Sequence, residues 1–567
     1  MEKFKNLNNF INPLIIIFII LILAIFLGNN FYVILSDRGR ELLIPQEIMN
    51  GLAPYKDINL IYFPLGYYIN ALLYKIFGIS IYTLICSQTF FSILYMLGFY
   101  FLSKEFLNKT TSLLLTLLVI VSCIFANNDL FGFIFPYSFA ASYGILGTFF
   151  AVFCFVKLFK TDNLKYLYLS ALSVSFAICC KLEFFIAPII FIIGLFLYKK
   201  LPVKEYFKTA LIMLIFPIIT FTILIWQGVS IENIISSIKF GINFAKTPVM
   251  SKFLSFIGVY PFEIIKSLKI FIKCIPCIFF TLILSIIAFL LENKFPKKFI
   301  LPIFAIIILF YNFQDNSVYS CWLILPYITL ISLFLKYKDL IKNKPVLFII
   351  ISAILMGQRE FFKLILYLYG TFSFPLYILS LCILIKLFAP KFIFNIEIKK
   401  FINFILIILI CIFSTKLISK IYTNNFILKT PKGNIYTSDS YSRILNDTID
   451  YINKNTDKND TILALPEGTL INFLTDRKVD MHCFMMDRLY HDAYGEENAR
   501  NIIAKTNSDY ILLIEDFDLN NFSKPYLYHP KSSLSGKYIA ENYDIVKKFI
   551  TNDASIIILK NKIKHNF

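Results

Sequence analysis

The sequence contains little histidine and little charge. Its four histidines, at positions 482, 491, 529 and 565, all lie near the C-terminus. Imidazole is a common ligand of catalytic metals, so a histidine–metal centre among the preceding apolar segments is excluded. Charged residues make up 16% of the chain, and few of them lie within its apolar runs.

The cysteines do not indicate a disulfide framework. There are eleven, scattered along the chain, and all but Cys483 lie in apolar stretches, where a thiol behaves as a small hydrophobe. Cys274 and Cys277 form a C-x-x-C pair inside an apolar run. Because no second pair or histidine is near, neither a redox nor a metal function is favoured.

Long apolar runs dominate what remains. Hydrophobic residues make up 58% of the chain and its mean hydropathy is +0.71, far above the values of a soluble domain. Runs of about 20 apolar residues are typical of membrane-spanning helices. They predict a polytopic α-helical membrane protein with about thirteen transmembrane helices. These occupy, roughly, residues 13–35, 82–102, 111–127, 138–158, 165–180, 184–198, 207–226, 267–291, 299–313, 318–335, 345–358, 364–388 and 401–420.

Lysine and arginine are concentrated in alternate loops. The loops near Lys104, Lys157, Lys199 and Lys336 are positively charged, whereas residues 127–137 and 312–319 contain neither lysine nor arginine. Positive loops are retained in the cytoplasm, so a cytoplasmic N-terminus in the cell (inner) membrane is predicted. Since these lysines orient helices, the net charge of +19 does not indicate a nucleic-acid partner.

The composition changes near the C-terminus, where charged residues and asparagine become frequent. We therefore predict a transmembrane domain over residues 1–425 and a small extracytoplasmic α/β domain over 430–567. Strands are predicted at 461–465, 510–514, 543–550 and 555–559. No phosphate-binding glycine motif occurs there. His482, Cys483, Asp487 and His491 could hold a metal ion, but their irregular spacing does not predict a metal site.

The first predicted outward loop, about residues 36–80, is unusually polar. If residues 37–49 form a short helix, Asp37 and Glu41 lie four residues apart on one face, with Arg38 and Arg40 alongside. Two carboxylates and two guanidiniums would then meet at the membrane surface. Alternatively, Ser36 or Asp37 only caps this helix and the charges are solvated.

The motifs of this loop resemble a known family. They are Asp37-x-Gly39-Arg40-Glu41, Asn50-Gly51-x-x-Pro54-Tyr55-x-Asp57 and Tyr62-x-Pro64-Leu65-Gly66-x-Tyr68-x-x-Ala71. Together they look like the opening of the GT-C membrane glycosyltransferases. The most similar group is the bacterial branch that resembles protein O-mannosyltransferases and aminoarabinose transferases (glycosyltransferase family 39-like). The resemblance implies a GT-C fold.

The resemblance also implies a reaction and its catalytic acid. Members of the family take a sugar from a polyprenyl-phosphate carrier at the outer face and attach it to an acceptor hydroxyl. Asp37 matches their catalytic acidic residue, and a carboxylate is suited to accept the proton of the attacking hydroxyl. Direct displacement would invert the anomeric centre. Many members carry a second acid directly after the first, whereas this chain has Arg38, and Glu41 is the nearby substitute. No cofactor is therefore predicted, and a divalent metal is possible but not indicated.

A leaving lipid phosphate needs cations near the membrane surface. Arg359, Lys181 and Arg40 are the candidates for binding it. Charges at membrane depth are functional by default, although Arg359 and Lys181 could each simply pair with a neighbouring glutamate. Weaker candidates for substrate contacts are Tyr62, Asp129, Tyr137 and Glu183, although such residues also anchor proteins at the interface.

After the membrane part, Leu465-Pro466-Glu467-Gly468 followed by Asn472-Phe473-Leu474 resembles a segment of some related bacterial transferases, and a structural turn explains it adequately. The predicted partners are a polyprenyl-phosphate-linked sugar, membrane lipids, and a lipid, glycan or protein acceptor. Two alternatives are an envelope-polysaccharide polymerase or ligase, and a non-enzymatic flippase or transporter of lipid-linked sugars. The latter would place charges near the bilayer midplane in broken helices, whereas here they gather at one face.

Overall fold

The protein is mainly helical in a computed structural model. This structure describes residues 2–30, 37–126, 132–256, 325–358, 371–389, 392–393, 396–482, 484–516, 528–552 and 554–564. Among them, six helices are long and apolar enough to cross a membrane. These are Phe10–Leu27, Ile81–Lys104, Phe139–Thr161, Val203–Trp226, Thr371–Phe388 and Ile398–Thr423. The chain is a membrane protein.

The helices of the N-terminal and central parts are, in chain order, α1 (Glu2–Leu27), α2 (Asp37–Met49), α3 (Leu65–Phe77), α4 (Ile81–Lys104), α5 (Lys109–Val119), α6 (Phe139–Thr161), α7 (Lys165–Ile178), α8 (Ile186–Leu197), α9 (Val203–Met213), α10 (Ile215–Trp226), α11 (Ile231–Lys246), α12 (Pro248–Phe256), α13 (Leu325–Leu335), α14 (Tyr337–Leu340), α15 (Lys344–Met356), α16 (Thr371–Phe388) and α17 (Ile398–Thr423). A π-helical turn, Ile120–Ile124, continues α5, and a 3-10 turn, Leu182–Phe185, precedes α8. Two short strands, β1 (Phe392–Ile393) and β2 (Ile396–Glu397), pair antiparallel before α17.

Most predicted spans in the described ranges coincide with helices. The predicted spans 267–291 and 299–313 lie outside the described residues, as does the Cys274–Cys277 pair, so the count of about thirteen helices stays a prediction. The helix α3 was not predicted from the sequence, because it is short and lies within the expected outward loop.

The lysine-rich loops meet at one end of the helical bundle. Glu105 accepts hydrogen bonds from Lys157 and, at 3.0 Å, from Lys160. Lys386 donates to the backbone oxygen of Phe106, and Lys199 pairs with Asp162. This grouping agrees with the alternation of charged and uncharged loops. Which end faces the cytoplasm stays a prediction.

The opposite end of the bundle is formed by α2, α3 and the segments joined to them. Ten of the thirteen residues of α2 are buried, because α2 packs between α3 and a later helix, α19 (Thr469–Thr475). The side chains of Arg38, Arg40 and Glu41 are among those buried. Solvated charges are therefore excluded for these three side chains, whereas Asp37 is partly exposed and Ser36 lies outside the described residues.

After α17, the chain forms a region that combines sheet and helix. Strands β3 (Phe426–Leu428) and β4 (Ile435–Thr437) pair antiparallel. A second sheet has the order β5-β6-β8-β7, in which β5 (Ile462–Leu465) and β6 (Tyr510–Asp516) are parallel. Its other strands, β7 (Tyr543–Ile550) and β8 (Ala554–Asn561), are antiparallel neighbours. The helices of the region are α18 (Asp439–Asn455), α19, α20 (Arg488–Tyr494), α21 (Glu496–Thr506) and α22 (Leu534–Asn542). Its independence as an extracytoplasmic domain stays a prediction.

Candidate active site

Asp37 is the first residue of α2 and the most accessible acid of the site. Its side chain is 39% exposed, whereas that of Arg40, one helical turn later, is only 4% exposed. Arg40 Nη2 donates a hydrogen bond of 2.7 Å to Asp37 Oδ1. A carboxylate at a helix N-terminus is also stabilised by the helix dipole. Arg40 therefore fixes the carboxylate of Asp37 while leaving part of it open.

A close approach at Gly39 brings the C-terminal region to this site. A Cβ at Gly39 would collide with the backbone nitrogen of Leu470 and lie 2.6 Å from Thr469 Oγ1. Only a residue without a side chain lets α2 pack so tightly against the start of α19. As a result, Glu467, in the turn between β5 and α19, places Oε1 3.7 Å from Arg40 Nη1.

The turn between β5 and α19 therefore also places Glu467 beside Arg40. The sequence had been explained by a structural turn alone, and this contact was missed. Glu467 is 8% exposed, and its Oε1 has no hydrogen-bond partner among the described residues. Met485 Sδ also contacts Arg40 Nη1, at 3.6 Å. The pattern Leu-Pro-Glu-Gly was the available signal, but nothing in a single sequence indicates that it meets a residue of the first loop.

Glu41 is buried deeper than Asp37 and holds α2 to two other helices. Its Oε1 accepts a hydrogen bond of 2.8 Å from the Tyr67 hydroxyl on α3, and its Oε2 accepts one of 2.9 Å from the Phe139 backbone N–H of α6. Arg40 Nε lies 3.9 Å from Glu41 Oε1. Burial raises the pKa of Glu41 to about 7, although the charge of Arg40 opposes the shift.

Two acids from the C-terminal region also have raised pKa values. Burial raises the pKa of Glu467, and the nearby charge of Asp37 adds to the shift, against the effect of Arg40. Burial likewise raises the pKa of Asp487 to about 6. Asp487 caps α20 by accepting a hydrogen bond of 3.0 Å from the Tyr490 backbone N–H. Burial therefore favours the neutral, protonated form of both acids.

A second cation, Lys181, lies near the ring of Tyr62. The Tyr62 ring centroid is 5.5 Å from Arg40 Cζ and 6.0 Å from Lys181 Nζ. Lys181 Nζ donates a hydrogen bond of 2.5 Å to the Tyr137 hydroxyl and lies 3.3 Å from Glu183 Oε1. Tyr62 therefore joins the acid cluster to a lysine that is 11% exposed.

A cleft opens next to this lysine. It has a volume of about 60 Å³ and is bounded by α6, the 3-10 turn, α8, α15 and α16. Its lining includes Glu183 and Gln358, and its walls are otherwise mainly apolar, with Phe184, Met356 and Phe372 among them. A polar edge beside an apolar cleft suits an amphiphilic ligand.

The structure brings together seven of the residues singled out in the sequence. They are Asp37, Arg40, Glu41, Tyr62, Tyr137, Lys181 and Glu183. Arg359 and Asp129 lie outside the described residues. Their predicted functions, like those of the seven, stay predictions.

Within the described ranges, no group of three or more histidine, cysteine, aspartate or glutamate residues could hold a metal ion. Of the cluster considered in the sequence, Cys483 lies outside the described residues. His491 is buried, with Nε2 3.3 Å from the Ser535 hydroxyl.

Comparison with known proteins gives matches in structure alone. No family model and no curated protein sequence matches the chain. The apo oligosaccharyltransferase of Archaeoglobus fulgidus matches with 11% identity and a TM-score of 0.51, covering 98% of this chain and 75% of that chain. ArnT from Cupriavidus metallidurans, bound to undecaprenyl phosphate, matches with 10% identity and a TM-score of 0.44, covering 97% of this chain and 98% of that chain. The A. fulgidus oligosaccharyltransferase AglB, in complex with an inhibitory peptide and a dolichol-phosphate, matches with 12% identity and a TM-score of 0.45, covering 90% and 70%.

At these identities the likeness concerns the fold. Of these three matches, we compare folds with the apo oligosaccharyltransferase, because its TM-score is above 0.5. The recognition from the first-loop motifs is therefore supported at the level of the fold, which is similar to that of the A. fulgidus oligosaccharyltransferase.

Proposed function

We propose that this chain is a membrane glycosyltransferase. It moves a sugar from a polyprenyl-phosphate-linked donor to an acceptor hydroxyl at the outer face of the membrane, with inversion of the anomeric carbon. The observation that carries the proposal is the pairing of a partly exposed carboxylate, Asp37, with the buried guanidinium of Arg40 at 2.7 Å. A fixed, accessible base is the group that activation of a hydroxyl requires.

Asp37 is the proposed base. Its carboxylate accepts the proton of the acceptor hydroxyl while the hydroxyl oxygen bonds to the anomeric carbon. The bond between that carbon and the phosphate oxygen breaks, and the lipid phosphate leaves with the electron pair. The protonated Asp37 then returns its proton to water. Arg40 holds the carboxylate in one orientation throughout, because it is packed between Asp37, Glu41 and Glu467.

Lys181 is the proposed ligand of the leaving phosphate. Its ammonium lies at the polar edge beside the apolar cleft that Glu183 lines, where the phosphate of an amphiphilic donor would place its charge and the prenyl chain would lie against Phe184 and Met356. A charge-assisted contact stabilises the charge that develops on the leaving oxygen. The Tyr137 hydroxyl, 2.5 Å from Lys181 Nζ, orients the ammonium.

Glu41 and Glu467 support this arrangement from opposite sides. Glu41 is 1% exposed, so its proposed part is to anchor α2, through Tyr67 and the Phe139 backbone, and not to contact substrate. Glu467 faces the guanidinium of Arg40 from the C-terminal region. Its charge state modulates how strongly Arg40 binds Asp37.

A deletion strain tests the proposed reaction. Loss of the chain should cause one polyprenyl-phosphate-linked sugar to accumulate and one cell-envelope glycan, lipid or protein to lose that sugar. Mass spectrometry of the lipid and envelope fractions measures both, with a strain complemented by the wild-type chain as the control. If neither fraction changes, the chain does not catalyse this transfer.

A further inference from the structure

The helix α11 has three distinct faces. Its first face is packed on the protein: Ile234 contacts the cluster of Ala53, Leu224 and Val229, and Phe240 and Phe244 pack on α20. Its second face is polar and exposed, and consists of Glu232, Ser236, Lys239, Asn243 and Lys246.

The third face of α11 is apolar and also exposed. Ile231, Ile235, Ile238 and Ile242 are 72, 44, 55 and 49% exposed. Their spacing of four, three and four residues places them on a single stripe of the helix. Four adjacent exposed isoleucines are costly in water, because each leaves apolar area unburied. This stripe needs a partner that is itself apolar.

The position of α11 indicates the membrane as that partner. The helix starts directly after the span Val203–Trp226, whose last residues, Ile225 and Trp226, are 67 and 86% exposed. Tryptophan at the end of a span is typical of the membrane–water interface. At sixteen residues, or about 24 Å, α11 is too short and too polar to cross the hydrocarbon core.

We propose that α11 lies in the membrane–water interface, with Ile231, Ile235, Ile238 and Ile242 inserted among the lipids. A helix with separate protein, lipid and water faces fits where these three phases meet. Lys239 and Lys246, on the polar face, lie next to the stripe and suit the phosphates of anionic lipid headgroups. This inference does not depend on the proposed function.

The packed face of α11 connects this bilayer contact to the candidate active site. Phe240 stacks on Tyr494 and Phe244 packs on Tyr490, both with ring centroids 4.7 Å apart. The backbone N–H of Tyr490 donates a hydrogen bond to Asp487. The charge of Asp487 in turn interacts with the charges of Asp37 and Arg40. The helix therefore supports the C-terminal region from the membrane surface.

Fluorescence quenching in nanodiscs that hold one copy of the full chain tests the proposal. Both native tryptophans, Trp226 and Trp322, are replaced by phenylalanine, and a single reporter is introduced as Ile238→Trp. The matched control is Ser236→Trp, two residues away on the polar face. Dibrominated phosphatidylcholine should quench the Ile238→Trp reporter at least about threefold more strongly than the control, because only the former lies among acyl chains. Aqueous acrylamide should give the opposite order.

A second reporter, Ile242→Trp, repeats the measurement if the first variant does not fold. Equal quenching of both faces by acrylamide, with none by brominated lipid, would show that the stripe faces water and would overturn the proposal. Protection of the Ile238 and Ile242 reporters from both quenchers would overturn it as well. In that case another part of the chain covers the stripe, because a second copy is absent from the disc.

Discussion

Replacing Glu41 with glutamine is expected to remove a pH dependence from the stability of the protein. In the folded state burial raises the pKa of Glu41 to about 7, whereas an unfolded glutamate titrates near about 4.3. Between these values the folded state keeps a proton that the unfolded state releases. The contribution of protonated Glu41 to the free energy of unfolding is therefore fully present below the pKa of the unfolded state and is lost as the pH rises through 7.

The size of the effect follows from the difference between the two pKa values. Each pH unit in this window changes the free energy of unfolding by about 1.4 kcal/mol. Over the whole window Glu41 should therefore contribute a change of about 3 to 4 kcal/mol. The Glu41→Gln variant keeps an oxygen that can accept from the Phe139 N–H, so its loss of packing should be small.

Equilibrium unfolding in mixed detergent micelles, from pH 5 to pH 8, measures this difference. The wild-type chain should lose stability relative to Glu41→Gln as the pH rises. The matched control is Glu105→Gln at the opposite end of the bundle. Burial opposes a lowering of the pKa of Glu105, but hydrogen bonds from Lys157 and Lys160 lower it. The stability that Glu105 contributes is therefore lost only in acid, and the stability curve of this control should run parallel to that of wild type between pH 5 and pH 8. If the stability curve of Glu41→Gln also runs parallel to that of wild type, the pKa of Glu41 is not raised in the folded state.

Three further variants test the arrangement around Asp37. Lys181→Gln should raise the KM for the lipid-linked donor about 10- to 100-fold, since it removes a charge-assisted contact; an unchanged donor KM would contradict the phosphate assignment. Glu467→Gln should lower kcat about tenfold and flatten its pH profile without changing the donor KM, because Glu467 acts through Arg40; a stability loss with an unchanged profile would mean a purely structural part. Gly39→Ala should cost about 1–3 kcal/mol of stability by overpacking against α19. The control Gly241→Ala, with nothing within 4 Å of the added Cβ, should be neutral or stabilising. Equal thermal stability of the two variants would refute the close approach at Gly39.

Local sequence patterns predicted much of the fold. Apolar runs of membrane-spanning length predicted helices such as α4 and α6, because lipid requires each span to satisfy its own backbone hydrogen bonds. The helix α2, Asp37–Met49, has the bounds of the short helix that was considered for the polar first loop. The helix α3 was missed, since its thirteen residues fall below the length that identifies a span.

The candidate site could be predicted only on the side that is local in sequence. Asp37, Arg40 and Glu41 lie within one and a half turns of a helix, so their proximity follows from helical periodicity. The contact between Arg40 and Glu467 joins residues from opposite ends of the chain. It depends on the absence of a side chain at Gly39, and a single sequence does not reveal such a packing event.

Asp37 is the residue on which the proposed reaction depends most directly. Cells that lack the native chain can be complemented with wild type, Asp37→Asn or Asp37→Glu at equal membrane levels, and the polyprenyl-phosphate-linked sugars and the glycosylated product quantified by mass spectrometry. With Asp37→Asn, the donor should accumulate and the product fall by at least about 100-fold, because the amide cannot accept the acceptor proton, while Asp37→Glu should restore part of the transfer. Product formation by Asp37→Asn at the wild-type rate would contradict the assignment of Asp37 as the base.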